Sequence, residues 1–219
     1  MARNVVVTGG GTGIGRAVAA AFAADGDTVV IIGRRSEPRH TTAAELGPGV
    51  RAVVCDGTDP SQVGALRVEL PAWVDVLVNC AGGNTNLDAN LISAVLMTTV
   101  VQDRLTTGGT VISIGSIAAD KGAGAYGVAK AGLASWNVGL AAELGPRSAT
   151  ANVVAPGYIR SCRAGPSPVR VGGGVNLTHG CRRRRHRPAV PRSRVTGAER
   201  AECEPPATTP GAHRRTRWS

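Results

Sequence analysis

The sequence has no long apolar run and few cysteines, and each absence excludes a class of protein. No uninterrupted apolar stretch approaches the ~18 residues that a membrane-spanning helix requires. No basic segment with a following apolar stretch and small-residue cleavage site precedes the strand-like run at residues 4–8, so we expect a cytoplasmic protein without a membrane partner. The five cysteines are odd in number and never form a CxxC pair, which indicates reduced thiols rather than a disulfide framework.

The cysteines and histidines near the C-terminus do not form a recognisable metal-binding pattern. Their spacing matches no zinc motif, so we predict no metal site. The residues concerned are Cys162, Cys181, Cys203, His179, His186 and His213.

Charge and composition divide the chain near residue 159. Residues 1–159 carry 11 Lys and Arg against 12 Asp and Glu, a net charge of −1, whereas residues 160–219 carry 14 Arg against 3 Glu, a net charge of +11. The later segment also has 7 of the 13 prolines, one Leu and no Ile, Phe or Met, so it cannot supply a periodic apolar face. We therefore predict one folded domain over residues 1–159 and a disordered basic tail over residues 160–219.

The basic tail has two interpretations. The run of arginines and one histidine at residues 182–187 could bind nucleic acid or an anionic surface by electrostatic attraction. Only Trp218 offers an aromatic ring for base stacking and no recognition motif surrounds the run, which disfavours nucleic acid as a partner. We favour the second interpretation, an out-of-frame extension, because the change to Arg-, Pro- and Gly-rich sequence is abrupt and typical of a reading-frame change in a GC-rich gene.

The first 159 residues alternate short β-branched runs with longer helical patterns. This alternation is typical of stacked βαβ units, and it predicts the α/β class with a doubly wound parallel sheet of about six strands. Several of the predicted strands are apolar almost throughout, as strands buried on both faces should be. The predicted strands are residues 4–8, 28–33, 52–55, 75–78, 110–114 and 151–154, and the predicted helices are residues 13–24, about 41–46, 61–70, 87–105 and 126–144.

A glycine-rich turn links the first predicted strand to the first predicted helix. Glycines permit a tight turn and a close approach of the backbone to a pyrophosphate, while the amides of the helix N-terminus attract anions. A Walker-type loop is disfavoured because Arg16 and Ala17 stand where that motif needs Lys and Ser or Thr. We expect a dinucleotide phosphate here, with a purely structural glycine turn as the alternative. The expected contacts are Thr8, Gly9, Gly11, Thr12, Gly13, Ile14 and Gly15.

Tyr126 and Lys130 lie four residues apart in a predicted helix, so the phenol and the ammonium share one face. A nearby cation lowers the pKa of a phenol from its reference value of about 10 towards the range of a general acid or base. The spacing alone is more typical of a solvated helix face. Its interpretation therefore depends on the motifs around it.

Several motifs occur in one order along residues 1–159. The turn fits TGxxxGxG through Thr8, Gly9, Gly13 and Gly15, and the helix fits YxxxK through Tyr126 and Lys130. Between and after these motifs, residues 79–82 resemble NNAG and residues 156–157 read PG. This combination resembles the short-chain dehydrogenase/reductase family, and the resemblance implies a Rossmann fold and a nicotinamide cofactor.

The resemblance also implies catalytic roles. In reduction Tyr126 would donate a proton to the carbonyl oxygen and Ser116 would hydrogen-bond that oxygen, whereas oxidation is the reverse. Lys130 would hold the nicotinamide ribose and assist Tyr126, and Asn90 would position a water in a proton relay. Two of these roles have structural alternatives, because Ser116 could cap a helix and Asn90 could be a surface helix residue.

The cofactor contacts implied by the resemblance follow the ends of successive strands. Asp56 would contact the adenine ring, although it could instead simply terminate its strand. Arg34 follows the second strand, where arginine accommodates the 2′-phosphate of NADP and an acidic residue would bind the ribose of NAD. NADP(H) is therefore favoured over NAD(H), with exposed solubilising arginines as the alternative. Further implied contacts are Asn79, Ala81, Gly82, Pro156 and Gly157.

Three features depart from the family pattern. Cys80 replaces the second asparagine of NNAG, and only seven residues separate Gly82 from Asn90. Nothing after Ile159 resembles the elements that normally cover the substrate and build the oligomer interfaces, so the sequence leaves homo-oligomerisation open. We predict an NADP-dependent oxidoreductase that interconverts a small-molecule carbonyl and an alcohol. The alternative is a catalytically impaired or silent nucleotide-binding module, truncated or frameshifted after residue 159.

Overall fold

Six parallel strands form the sheet in the order β3-β2-β1-β4-β5-β6, and a short antiparallel strand, β7, pairs with the β6 edge. The structure is a computed structural model, and it describes residues 1–83, 86–157, 159 and 176–177. The strands are β1 Asn4–Thr8, β2 Thr28–Gly33, β3 Val50–Val54, β4 Val74–Asn79, β5 Leu105–Ile114, β6 Thr150–Ala155 and β7 Asn176–Leu177.

Five α-helices connect these strands within the described residues, and shorter helical turns extend several of them. The helices are α1 Gly13–Ala24, α2 Ser36–Leu46, α3 Pro60–Ala65, α4 Ser93–Gln102 and α5 Gly124–Leu144. A π-helical turn, Asp88–Ile92, precedes α4, and 3₁₀ turns lie at Leu66–Val68, Ile117–Asp120 and Gly145–Arg147. None of the helices in the described ranges is both long and apolar enough to cross a membrane.

The sheet separates two apolar cores, because its central strands are buried on both faces. Val5, Val6 and Val7 of β1 have no exposed surface. On one face, α3, α4 and α5 pack Val63, Met97, Val101, Leu140 and Leu144 against the sheet. On the other face, α1 and α2 pack Ala19, Val18, Phe22, Ala43 and Leu46 against it.

The predicted doubly wound parallel sheet is confirmed, and two of its strands, β1 and β2, have the predicted ends. Other boundaries were wrong. The predicted helix 87–105 is a π-helical turn followed by α4, and β5 begins at Leu105 rather than Thr110. Pairing of Val74 with Leu105 across a register shift extends β5 backwards, a tertiary effect that a local pattern does not contain.

The ends of other elements also moved. β3 is Val50–Val54, so it excludes Cys55, and α2 begins at Ser36. The predicted helix 61–70 is α3 and a 3₁₀ turn, started by Asp59, whose carboxylate accepts hydrogen bonds from the amides of Ser61 and Gln62.

Within the predicted tail, the backbone of Asn176–Leu177 pairs with Val154 and Ala155 of β6. Backbone pairing at an open sheet edge requires no apolar periodicity in the added strand. The remaining tail predictions, including the arginine run and the cysteines and histidines near it, lie outside the described residues. The domain boundary at residue 159 stays a prediction.

Candidate active site

The glycine-rich turn is fixed to the neighbouring strand end by Thr8. The Thr8 hydroxyl, at the end of β1, accepts hydrogen bonds from the amides of Cys80 and Ala81, both at 3.0 Å. Ala81 and Gly82 follow β4, so this pair of bonds brings two predicted cofactor segments together at one edge of the sheet. The Gly11 carbonyl on the other side of the turn accepts a bond from Thr42 of α2 at 3.2 Å.

The turn has a shape that only glycine permits at two positions. Gly9 has a φ of 68°, and a Cβ there would lie 3.0 Å from the Ala81 backbone. A Cβ at Gly15 would overlap the Gly9 carbonyl oxygen. The first turn of α1 therefore packs directly against the end of β1, with no side chain between them.

The start of α1 fits a phosphate group. Thr12 is the N-cap residue, its side chain makes no capping bond, and the first turn contains no acidic residue. The first amides of a helix have no partner within the helix, so those of Gly13 and Ile14 can bind an anion beside the glycine turn. The helix dipole also favours negative charge at the N-terminus of α1.

Lys130 is almost enclosed beneath Tyr126 on α5. Only 5% of Lys130 is exposed, its Nζ donates a hydrogen bond to the Ile114 carbonyl at 2.8 Å, and it lies 5.8 Å from the centroid of the Tyr126 ring. Burial lowers the pKa of Lys130 to about 8, because the ammonium loses its water shell. The spacing in the sequence thus places the two side chains together, as predicted.

Cys80 lies close enough to Lys130 for their charges to interact. Burial raises the pKa of the Cys80 thiol to about 11, and the charge of Lys130 opposes that rise. The thiol is therefore neutral at the pH values where Lys130 titrates. Cys80 was predicted only as a departure from NNAG, and the sequence carried no signal of this electrostatic interaction.

Ser116 follows the end of β5 and caps the 3₁₀ turn Ile117–Asp120. Its hydroxyl accepts a hydrogen bond from the Ala118 amide at 3.1 Å, so Ser116 does cap a helical turn, as the alternative interpretation expected. The hydroxyl proton can still be donated to another group. Ser113 is fully buried in β5, which distinguishes it from the half-buried Ser116.

Asn90 is buried rather than on the surface, so the surface alternative was wrong. Its exposed fraction is 1%, and it lies within the π-helical turn Asp88–Ile92. The side-chain oxygen accepts a bond from the Gly83 amide at 3.0 Å, and the side-chain nitrogen donates to the Asn86 carbonyl at 2.7 Å. These bonds tie Asn90 to the strand β4 end despite the short connection, and π turns are frequent at functional sites.

Asn79 supports the sheet from its last residue in β4. It is 3% exposed and donates to the Thr98 hydroxyl on α4 at 2.9 Å. Its register partner is Ser113, and the side-chain oxygens of Asn79, Ser113 and Asn137 have no hydrogen-bond partner among the described residues. Asn79 thus contacts α4 beneath the site rather than the open edge of the sheet.

Asp56 and Arg34 lie at the end of the sheet where an adenosine would be expected. The Asp56 carboxylate accepts bonds from the Thr58 amide and hydroxyl at 3.0 and 2.8 Å. These bonds, and to a smaller degree the charge of Arg34, hold the pKa of Asp56 below its ordinary value against the effect of burial. Arg34 itself is exposed after β2, so its guanidinium is accessible to a ligand.

Pro156 and Gly157 follow β6 and adjoin the serine turn, since the Pro156 carbonyl accepts a bond from the Ile117 amide at 3.2 Å. They also line one end of a cavity of about 580 Å³ on the α1 face of the sheet. The cavity is lined by Ile14 and Phe22 of α1 and by sheet residues such as Ile112, but not by Tyr126. The predicted acid–base pair, Tyr126 and Lys130, is therefore not part of the cavity lining.

The structure gathers most predicted residues at the carboxyl ends of the strands. The Ile114 carbonyl that holds Lys130 was missed, because every residue carries a carbonyl and no pattern marks the one that will be used. Thr98 was missed for a similar reason, since its contact with Asn79 depends on the packing of α4. Roles in cofactor binding and catalysis remain predictions for all of these residues.

Comparisons with known proteins agree with this arrangement. A family model described as short chain dehydrogenase matches residues 3–167. A 3-oxoacyl-[acyl-carrier-protein] reductase of Mus musculus is 34% identical, over 74% of this chain and 77% of the relative. The corresponding reductase of Escherichia coli is 32% identical, over 71% of this chain and 73% of the relative.

Solved structures give the same result. A short-chain dehydrogenase from Burkholderia cenocepacia, solved in complex with NADP, is similar with a TM-score of 0.66 and 30% identity, over 74% of this chain and 76% of that one. The Rossmann arrangement, the motifs and these similarities together identify an oxidoreductase. The chain belongs to the short-chain dehydrogenase/reductase family.

Proposed function

We propose that this chain is an NADP-dependent oxidoreductase that interconverts a small-molecule carbonyl and an alcohol, with Tyr126 as the acid or base. The observation that carries the proposal is the buried Lys130 amine beneath the Tyr126 ring, held at the end of β5. No carboxylate pairs with Lys130 among the residues that the structure describes, and a buried, unpaired lysine is costly to fold, so a functional role is a strong reason for its presence.

The residues at the sheet edge fit a nicotinamide dinucleotide. The glycine turn has no side chains that would fill a phosphate site, and the first amides of α1 face the same place. When bound, such a cofactor supplies or accepts the hydride. Asp56 would contact the adenine end, while Ala81, Gly82, Pro156 and Gly157 would line the path towards the nicotinamide.

The side chains around Tyr126 divide the proton chemistry between them. In the reduction direction Tyr126 donates a proton to the carbonyl oxygen, and Ser116 donates a hydrogen bond to the same oxygen. Lys130 lies beneath the phenol, and its remaining N–H groups are available for ribose hydroxyls. Asn90 would hold a water between Lys130 and solvent, so that the proton can be replaced.

Arg34 supports NADP(H) rather than NAD(H). It is exposed at the end of β2, where a 2′-phosphate would lie, and a guanidinium binds phosphate with two parallel hydrogen bonds. The neighbouring Asp56 carboxylate is close enough for the Arg34 charge to lower its pKa. A bound 2′-phosphate and the Asp56 carboxylate would both interact with the positive charge of Arg34.

Tyr126→Phe tests the acid–base role directly, because it removes only the phenol hydroxyl. We expect cofactor binding to remain, measured by calorimetry, and turnover across a panel of ketones and alcohols to fall at least about 100-fold. The matched control is Ser135→Ala on the exposed face of α5, which should retain turnover. Unchanged turnover in Tyr126→Phe would remove this residue from the mechanism, and cofactor binding without turnover in the unaltered protein would support the silent-module alternative.

Arg34→Ala tests the cofactor preference. We expect NADPH affinity to fall about 10- to 100-fold, since a charge-assisted bond to phosphate is lost, while NADH affinity changes little. Arg35→Ala is the matched control, because Arg35 is the neighbouring exposed arginine. Equal losses for both cofactors, or for both variants, would contradict a specific phosphate contact at Arg34.

A further inference from the structure

Three buried polar side chains lie on the α3–α5 face of the sheet, beneath the candidate active site. They are Asn79 of β4, Ser113 of β5 and Asn137 of α5, and each is at most 3% exposed. The side-chain oxygen of each makes no hydrogen bond to any other residue that the structure describes. A buried polar atom without a partner lowers stability, so three such atoms in one part of the core indicate a common partner.

The first two of these side chains are neighbours on adjacent strands. Asn79 and Ser113 are register partners in the parallel pair β4–β5. Leu77 and Val111, two residues before them, belong to the core under α3–α5, so Asn79 and Ser113 point to that same face. The side-chain nitrogen of Asn79 donates to the Thr98 hydroxyl of α4, which leaves the Asn79 oxygen for a second partner.

Helix α5 brings Asn137 over the same part of β5. Lys130 of α5 donates to the Ile114 carbonyl, and Arg147, just beyond α5, donates to the Leu105 carbonyl, so α5 runs along β5 in the opposite direction. Asn137 lies two helical turns after Lys130 on the same face, about 10 Å along the axis, which is roughly three residues of a strand. Helical side chains lean towards the helix N-terminus, so that of Asn137 leans back towards the carboxyl end of β5.

We propose that Asn79, Ser113 and Asn137 form a binding site for one internal water molecule, which links β4 and β5 to α5. A water molecule can donate two hydrogen bonds and accept others, so it can donate to the two amide oxygens and accept from the serine hydroxyl. Serine is also smaller than Val111, the previous residue of β5 on this face, and so leaves more space between the strand and the helix. This inference does not depend on the proposed function.

The sign of a stability change in the full chain tests this water site. Ser113→Ala removes a single hydroxyl oxygen. If that hydroxyl binds water, its loss should raise the equilibrium constant of unfolding roughly 5-fold, measured by denaturant unfolding. If it binds nothing, removal of an unpaired buried hydroxyl should leave this constant unchanged or lower it, and that result would overturn the inference.

A second substitution tests whether the water is shared with α5. Asn137→Leu removes the amide at similar volume, and adding it to Ser113→Ala should raise the equilibrium constant of unfolding little beyond the larger of the two single effects. Ser93→Ala is the matched control, because the buried Ser93 hydroxyl has its own bond to the Ala89 carbonyl at 2.9 Å. The effects of Ser93→Ala and Asn137→Leu should multiply. Effects of Ser113→Ala and Asn137→Leu that also multiply would contradict a shared water.

Magnetic relaxation dispersion of the water oxygen counts long-lived internal water molecules directly, and it decides the question if Asn137→Leu prevents folding. The variant for this measurement is Ser113→Val, which fills the site with apolar groups. The unaltered protein should hold one more long-lived water molecule than Ser113→Val. Equal numbers in the two proteins would rule out the site.

Discussion

Lys130 combines a burial penalty with the catalytic position that we propose for it. It is 5% exposed, and its one described hydrogen bond goes to a backbone carbonyl. Below its folded pKa of about 8 the ammonium is charged in both the folded and unfolded states, and burial of that charge destabilises the folded state. Proteins retain such a residue where chemistry requires it, at a cost in stability.

Lys130→Met should therefore stabilise the fold at neutral pH while removing turnover. The drop in the pKa of Lys130 from 10.5 to about 8 measures the cost of burying its charge, which is up to about 3 kcal/mol at pH 7. Methionine fills a similar volume without that charge, so the free energy of unfolding should rise by up to this amount. Since the folded lysine loses its proton first, the gain should shrink as the pH rises from about 8 to 10.5. Denaturant unfolding at several pH values measures it.

A gain that stays constant across this pH range would show that lysine ionisation is not its cause. The same measurement on Lys121→Met is the control, since Lys121 is exposed beyond the serine turn and its substitution should change stability little.

The pairs β1–β2 and β1–β4 are each fixed at their starting ends by a carboxylate, a buried one at Asp27 and a partly buried one at Asp75. Asp27, just before β2, accepts bonds from the Arg3 backbone amide and side chain at 2.9 Å each, and the Arg3 guanidinium also lies 5.1 Å from the Phe22 ring centroid. Asp75 of β4 accepts a bond from the Asn4 amide at 2.8 Å. These contacts hold the starting ends of β1, β2 and β4 in register, at the end of the sheet opposite the glycine turn.

Asp27→Asn should destabilise the protein by about 1 kcal/mol at neutral pH, because it removes a charge-assisted contact of a largely buried carboxylate. The Arg3 hydrogen bonds hold the pKa of Asp27 below its ordinary value of 3.8. Its contribution is therefore fully present above that value and is lost as the pH falls through the lower folded pKa. Unfolding measurements from neutral pH downwards should show the two proteins converging in acid.

Asp25→Asn is the matched control for Asp27→Asn, because the Asp25 side chain is mostly exposed and accepts one hydrogen bond of 3.2 Å from Arg3. Asp25→Asn should lower the free energy of unfolding much less, because exposed ion pairs contribute little to stability. Equal losses in the two variants would mean that burial of Asp27 is unimportant.

On the scale of the whole molecule, the two faces of the sheet are covered unequally. The α3–α5 face is filled by apolar side chains, whereas the opposite face has the cavity of about 580 Å³ between α1 and the ends of β5 and β6. Ile112, Ile114 and Val154 are only partly buried there, and Ile159 is 51% exposed. Apolar surface of this kind favours association with other apolar molecules.

Val154→Thr should lower the binding of an apolar fluorescent dye, because it places a hydroxyl of similar shape within the cavity. We expect dye fluorescence to fall by about half and stability to change by less than about 1 kcal/mol. Val138→Thr is the control, since Val138 is 53% exposed on α5 outside the cavity. Equal fluorescence in all three proteins would show that the dye binds elsewhere.

Parts of the candidate site could be predicted where a short run of residues is enough to specify the local structure. The turn from Thr8 to Gly15 needs glycines for steric reasons, and the four-residue spacing of Tyr126 and Lys130 fixes one helix face. Asn90 and Ser116 were predicted by motif order, but the bonds they make were not. The Gly83 and Ala118 amides that they contact depend on how two connections fold back.

Local sequence is enough to specify the alternation of strands and helices, the glycine turn and the order of the family motifs, because these depend on steric limits and periodicities within a few residues. Tertiary contacts, in contrast, extend β5 back to Leu105, bury Asn90 and bring the Ile114 carbonyl to Lys130. Those features arise where segments distant in the chain meet, and the burial created there sets the pKa of Lys130.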